Sequence, residues 1–156
     1  MGNYRITYFM PHISKERLKQ FDKPVSDGDL YYNLALGDVD FHCATQESGP
    51  HTIQLPLLDF GIGMWRISTS LAANNSQYFE LTEAANRLHI TLVNNSVEIR
   101  PDWDSWKCTC GYDEFVSESR RFLVELLAEV TYICPMIQNT KEIQEIERQL
   151  ALSMKT

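Results

Sequence analysis

No apolar run in this 156-residue sequence approaches the roughly 20 residues needed to cross a bilayer. The longest stretches, Leu55–Leu58 and Phe122–Leu127, are interrupted by Pro56 and Glu125, so no membrane span is expected. The first ten residues carry polar groups throughout and no small-residue cleavage pattern, which predicts no secretory signal and a cytoplasmic protein. Motifs that announce chemistry are also missing. There is no P-loop, no G-x-S-x-G and no H-E-x-x-H. Gly61-Ile62-Gly63 lacks the third glycine of a dinucleotide fingerprint and falls inside a helical pattern. No catalytic residue, no metal and no cofactor is therefore expected, although a scattered active site would leave no motif. Internal repeats, low-complexity tracts and long linkers are absent too, and residues 1–156 read as a single domain.

One further absence is local. From Pro24 to Trp65 the chain has neither Lys nor Arg, yet it holds Asp27, Asp29, Asp38, Asp40, Glu47 and Asp59. The segment before it is basic, with Arg5, Lys15, Arg17, Lys19 and Lys23 against Glu16 and Asp22. Much of the net charge of −7 thus sits in one continuous stretch. That sign disfavours nucleic acid, whose affinity comes from clustered Lys and Arg. A field of one sign steers an oppositely charged partner and raises its association rate; the plain alternative is a solvated surface that keeps the protein dispersed.

What is present is ordinary globular composition, 44% hydrophobic and 22% charged, in a chain long enough to bury about two-thirds of its unfolded surface. Tyr4–Phe9 is rich in β-branched and aromatic residues and predicts a strand ended by Pro11. Ser14–Phe21 predicts one or two helical turns capped by Ser14. Leu30–Leu36 and Val39–Cys43 flank Gly37-Asp38 and predict a hairpin turning there. Thr45–His51 reads as a polar loop. Leu57, Phe60, Met64, Ile67 and Leu71 keep helical spacing, with Gly61 and Gly63 either weakening that helix by about 1 kcal/mol each or permitting a close neighbour. Tyr78–Leu81, Leu88–Leu92, Val97–Arg100 and Ser105–Thr109 predict an antiparallel meander, with Asn94-Asn95 at a tight turn. A long amphipathic helix follows from about Asp113 to Ile133, and a last one from Thr140 to about Ser153. Hairpin and meander followed by helices predict an α+β fold, an antiparallel sheet with helices mainly on one face.

Four cysteines, Cys43, Cys108, Cys110 and Cys134, are expected to be reduced in a chain with no export signal. Cys108-Thr109-Cys110 would put two sulfurs on one strand face, as zinc requires, but Cys43, Cys134, His42 and His51 offer no second well-spaced pair. A Cys–His nucleophile lacks any local signature, and His89 alternates with core residues on a strand. Asp102, Trp103 and Asp104, followed by Trp106, could bind a sugar, but two acids after Pro101 read more simply as a solvated turn. An exposed Trp103 suits a binding edge, whereas Trp106 is expected to be buried against the long helix.

A short acidic chain with a helix at Leu57–Leu71, a meander, and a helix at Phe115–Ile133 resembles the immunity proteins of bacterial polymorphic-toxin and contact-dependent growth inhibition systems. The resemblance rests on organisation, size and charge and covers most of the chain. It implies an antitoxin that binds a cognate toxin domain, frequently a basic nuclease, and occludes its active site. The partner-binding residues it would use are Asp27, Asp29, Asp38, Asp40 and Glu47, with Asp102, Trp103 and Asp104 as a second patch. Two alternatives stand beside it. A small cytoplasmic enzyme would gather His42, His51 or His89 with a carboxylate in a cleft. A regulatory or oligomeric subunit would expose Ile143, Ile146 and Leu150 as an apolar surface for self-association.

Overall fold

The computed structural model describes residues 4–43, 51–81 and 85–154. Strand β1 (Arg5–Phe9) alternates outward and inward side chains, and Pro11 then bounds helix α1 (His12–Gln20). The helix begins two residues before Ser14, with Pro11 at its N-terminal boundary and Ser14 buried in the first turn. A single π-helical turn, Asp29–Asn33, precedes β2 (Leu36–His42).

The hairpin expected at Gly37-Asp38 is not there. Strand β2 runs straight through both residues and pairs antiparallel with β3 (His51–Pro56). The change of direction comes earlier, at Ala35, which takes a positive φ of 53°. Gly37 serves a different purpose from a turn. A Cβ there would lie 2.4 Å from the Phe9 carbonyl oxygen and 2.8 Å from Leu57 Cδ1, so only glycine lets the strands and the next helix close together.

Strands β1, β2 and β3 form one antiparallel sheet, in that order. Its inner face carries Ile6, Tyr8, Val39, Phe41, Ile53 and Leu55. Helix α2 (Leu57–Ser70) follows β3 directly. Both glycines of α2 are close-approach positions: a Cβ on Gly61 would touch Phe122 and Leu123, and one on Gly63 would lie 2.7 Å from the Phe79 ring.

The meander is as expected. Strands β4 (Ser76–Glu80), β5 (Arg87–Val93), β6 (Ser96–Pro101) and β7 (Cys108–Gly111) form a second antiparallel sheet in sequential order. Asn94 and Asn95 both take positive φ, 51° and 63°, the conformation a two-residue hairpin turn demands. Helix α3 (Tyr112–Ile133), a short 3-10 turn (Pro135–Asn139) and helix α4 (Lys141–Ser153) complete the chain. Thr140 caps α4 by accepting from the Ile143 N–H.

Helices α2 and α3 pack against each other and touch both sheets. Phe60 of α2 is the point where the layers meet. Its ring packs edge-on against Phe41 of the first sheet (5.8 Å between centroids), Phe79 of the second (5.6 Å) and Phe122 of α3 (5.4 Å). Edge-to-face rings at such spacing add to area burial. The architecture is therefore α+β, with two antiparallel sheets sharing a helical pair. No helix among the described residues is long and apolar enough to cross a membrane.

Candidate functional site

The first sheet has one face turned away from the helices. Alternation places Arg5, Thr7 and Phe9 of β1, Asp38, Asp40 and His42 of β2, and Thr52 and Gln54 of β3 on it, all exposed or half-buried. The register sets cross-strand rows: Arg5 opposite His42, Thr7–Asp40–Thr52, and Phe9–Asp38–Gln54. Asp40 accepts a hydrogen bond from the Thr52 hydroxyl, and the His42 ring lies 2.9 Å from Thr7 Oγ1. Asp38 has no side-chain partner among the described residues. Two acids thus stand side by side on the middle strand.

At the end of this face, where β1 gives way to α1, lies a groove of about 390 Å³. Pro11, Ile13, Leu36, Leu55, Pro56 and Leu81 supply its apolar lining, while Arg17, Asp38 and Gln54 bring polar heads to it. Phe9 and Ile13 are 61% and 64% exposed, high for large apolar side chains lying next to a cavity.

The other sequence-derived positions are spread out. Asp29 accepts from Ser26 N (3.3 Å), Ser26 Oγ (2.9 Å) and Asn33 Nδ2 (3.3 Å), and the Ser26 bonds hold its carboxyl below the usual range. It works as a local cap on the π-helical turn, with exposed Asp27 beside it. Asp102 accepts from the Arg87 N–H (3.1 Å) and closes the open end of the β5–β6 ladder, and Asp104 accepts from Ser105 N (2.7 Å). Trp103 is exposed between them. Glu47 lies outside the described residues.

The fold also mixes the two signs of charge that the sequence keeps apart. Arg17, from the basic segment, lines the same groove as Asp38. Arg5 lies on the same face as Asp38 and Asp40.

The loop carrying Asp102, Trp103 and Asp104 is drawn to the first sheet by Trp106. Rather than packing on the long helix, Trp106 is half-buried against Phe41 (5.6 Å) and stacks on His51 (4.6 Å, 7° between planes). Next to it Cys43 and Cys108 form a disulfide, 5.8 Å between Cα atoms, within the span such a bridge covers. The expectation of reduced thiols fails for these two, because packing brings the end of β2 onto the start of β7. Cys110 and Cys134 remain thiols, both buried; burial pushes Cys110 up to about 12 and raises Cys134 as well. A thiolate nucleophile needs the opposite shift.

The histidine cleft is not assembled. His42 engages Thr7, His51 engages Trp106, and His89 lies beside Tyr78. Among the described residues no group of three His, Cys, Asp or Glu side chains could hold a metal ion. The self-association surface also dissolves: Ile143 and Ile146 are 0% exposed and Leu150 is 5% exposed, because α4 turns its apolar stripe into the core.

Sequence reasoning missed the groove. Phe9 carried a signal: it alternates with Arg5 and Thr7 on the polar side of β1, where an apolar ring has no core to enter. Ile13, Arg17, Gln54 and Leu81 carried none, since only folding gathers them. No family, curated protein or solved structure matches the chain.

Proposed function

We propose that this chain is a protein-binding antitoxin of the immunity-protein kind, which neutralises a basic toxin domain by docking on the outer face of the β1–β2–β3 sheet. The observation that carries the reading is Asp38 and Asp40, two carboxylates on the central strand of an open sheet face, one of them without a side-chain partner among the described residues. Such a pair repels itself and is relieved by a Lys or Arg from a partner, which favours encounter with a basic surface. The loop with Asp102, Trp103 and Asp104 is joined to this sheet through the disulfide and carries an exposed aromatic side chain. The protein acts in the cytoplasm of the producing cell.

The test is co-expression with the product of the adjacent gene, followed by co-purification and growth rescue. Stopped-flow association of the complex then compares the native chain with Asp38→Lys/Asp40→Lys. The reversal is expected to slow association about tenfold at low salt and to flatten its salt dependence. An unchanged rate and salt slope would remove the steering role. Absence of both complex and rescue would remove the antitoxin reading itself.

A further inference from the structure

We infer that the groove beside Asp38 seats one aliphatic or aromatic side chain of an extended partner segment, with a lysine or arginine next to that side chain in the segment. The inference rests on the docking reading above and names what the partner must present.

Its first support is the state of the polar groups around the groove. Several half-buried polar side chains elsewhere are engaged. Tyr31 donates to Glu142, which also receives Arg66; Tyr8 donates to Glu129 at 2.9 Å; Arg121 bonds Glu118, Glu125 and the Ile6 carbonyl. In the groove, Arg17, Asp38 and Gln54 have no side-chain hydrogen bond or ion pair among the described residues. An exposed guanidinium, a half-buried carboxylate and an exposed amide thus stand around an apolar floor with their bonding capacity open. This is the pattern of a recognition pocket, apolar lining with a few polar groups that set orientation.

The second support is size and floor. At about 390 Å³ the groove lies near the lower end of ligand-sized cavities, about 300–1,000 Å³. It has room for one bulky side chain and its backbone, and is too small for a helix. Gly37 forms part of the lining, and no side chain can be placed there without meeting the Phe9 carbonyl and Leu57. The floor is therefore kept low by the packing beneath it. Ile13 lines the groove and is mostly exposed, so an inserted side chain would bury it, while Phe9 stands outside the lining, opposite Asp38 on the neighbouring strand.

Charge decides the flanking residue. Asp38 takes the cation of a neighbouring lysine or arginine, while Arg17 and Gln54 hydrogen-bond backbone carbonyls of the extended segment. With Arg17 engaged by the segment's backbone, an acidic neighbour would meet the Asp38 carboxylate and be repelled.

The experiment is an ¹⁵N–¹H correlation titration of the full chain with two blocked tetrapeptides at millimolar concentration, acetyl-Gly-Lys-Leu-Gly-amide and acetyl-Gly-Glu-Leu-Gly-amide. The lysine peptide is expected to shift the amides of Ile13, Gly37, Asp38, Leu55 and Leu81, and the glutamate peptide to bind more weakly. Ile13→Lys, at an exposed position that leaves the remaining spectrum in place, is expected to weaken binding by about tenfold, as blocking an anchor pocket does. Asp38→Asn is expected to erase the preference between the two peptides while retaining binding. No shift at these amides, equal binding of both peptides to the native chain, or an Ile13→Lys variant that binds as well, would each overturn the inference. The two proposals fail separately. Peptide binding without any toxin complex would leave the groove standing and the antitoxin reading lost. A salt-dependent toxin complex that Ile13→Lys leaves unaltered would do the reverse.

Discussion

The two sheets differ in how far their exposed polar groups engage one another. Around the β4–β7 sheet the charges engage one another. Arg87 approaches Glu80 at 3.9 Å and lies over the Tyr78 ring at 4.2 Å, Glu98 is shared by Arg100 and Lys107 at 3.8 Å each, and Asp102 closes the ladder end. The β1–β2–β3 sheet is equally complete along its β1 edge, where the bonds come from a helix rather than a strand. Glu114 accepts from Tyr4 N at 3.4 Å, Glu118 accepts from Ile6 N at 3.1 Å, and Arg121 donates to the Ile6 carbonyl at 2.6 Å. An exposed strand edge invites unwanted pairing, and α3 blocks it with side chains. The outer face of the same sheet differs. It leaves Asp38 and Gln54 without side-chain partners among the described residues, next to exposed Phe9, with Arg17 and Ile13 of α1 beside them. Exposed surface pairs contribute little to stability, so folding does not require these groups to be satisfied. The outer face of the first sheet is thus where a half-buried carboxylate without a side-chain partner among the described residues lies beside exposed apolar side chains.

The largest expected effect is on the joint between the two sheets. The Cys43–Cys108 bridge spans 65 residues of sequence, and a loop of that length corresponds to about 4 kcal/mol of unfolded-state restriction. Cys43→Ser/Cys108→Ser should therefore lower the urea midpoint under oxidising conditions and match the native chain once a dithiol is added. If the oxidised native chain and the variant unfolded alike, the sheets would not depend on the bridge.

Gly37→Ala comes next, with a loss of about 3 kcal/mol. The added Cβ meets a backbone carbonyl, which cannot rotate away. Calorimetry would show a lowered Tm; an unchanged Tm would mean that β2 and the β1–α1 corner are less closely apposed.

The closed edge provides a pH test. Burial raises the Glu118 carboxyl, but the bonds from Arg121 and the Ile6 N–H outweigh it and leave the group below its usual range. A carboxyl lower in the folded than in the unfolded chain stabilises fully above its unfolded value, about 4.3, and that stabilisation is lost as pH falls through the folded value. Glu118→Gln should cost about 2 kcal/mol at neutral pH, since it removes the charged acceptor facing Arg121 and Ile6. It should also flatten the decline of stability below pH ~4. An acid limb identical to that of the native chain would show that other carboxylates control it.

Asp38→Asn should have the smallest effect on stability, within about 0.5 kcal/mol by urea unfolding. A clear destabilisation would show that Asp38 serves the fold, and the contrast between the two sheets would vanish.

Much of the fold was legible in the sequence because it is local. The meander needs only neighbouring runs and an Asn-Asn turn, and α3 needs only the 3–4 spacing of Phe115, Phe122, Leu126 and Val130. The α4 stripe was equally legible, but its destination was not. Ile143, Ile146 and Leu150 suit a partner helix or a core equally well, and only the position of α4 against the 3-10 turn decides for the core. The error at Gly37-Asp38 has the same origin. A glycine followed by an aspartate has the chemistry of a turn, while its use for close approach depends on Phe9 and Leu57, distant in sequence.

The α+β class, the order of most elements and a long segment without Lys or Arg can be read from the sequence alone. Tertiary structure alone decided which acids stay uncommitted, since Asp29 and Asp102 became caps while Asp38 did not. It also built the groove, whose lining comes from residues 11–17, 36–38, 54–56 and 81. The physical reason is range. Helical period, strand alternation and turn chemistry act over a few residues, whereas hydrogen bonds, ring packing and cavities depend on which distant segments the core brings together.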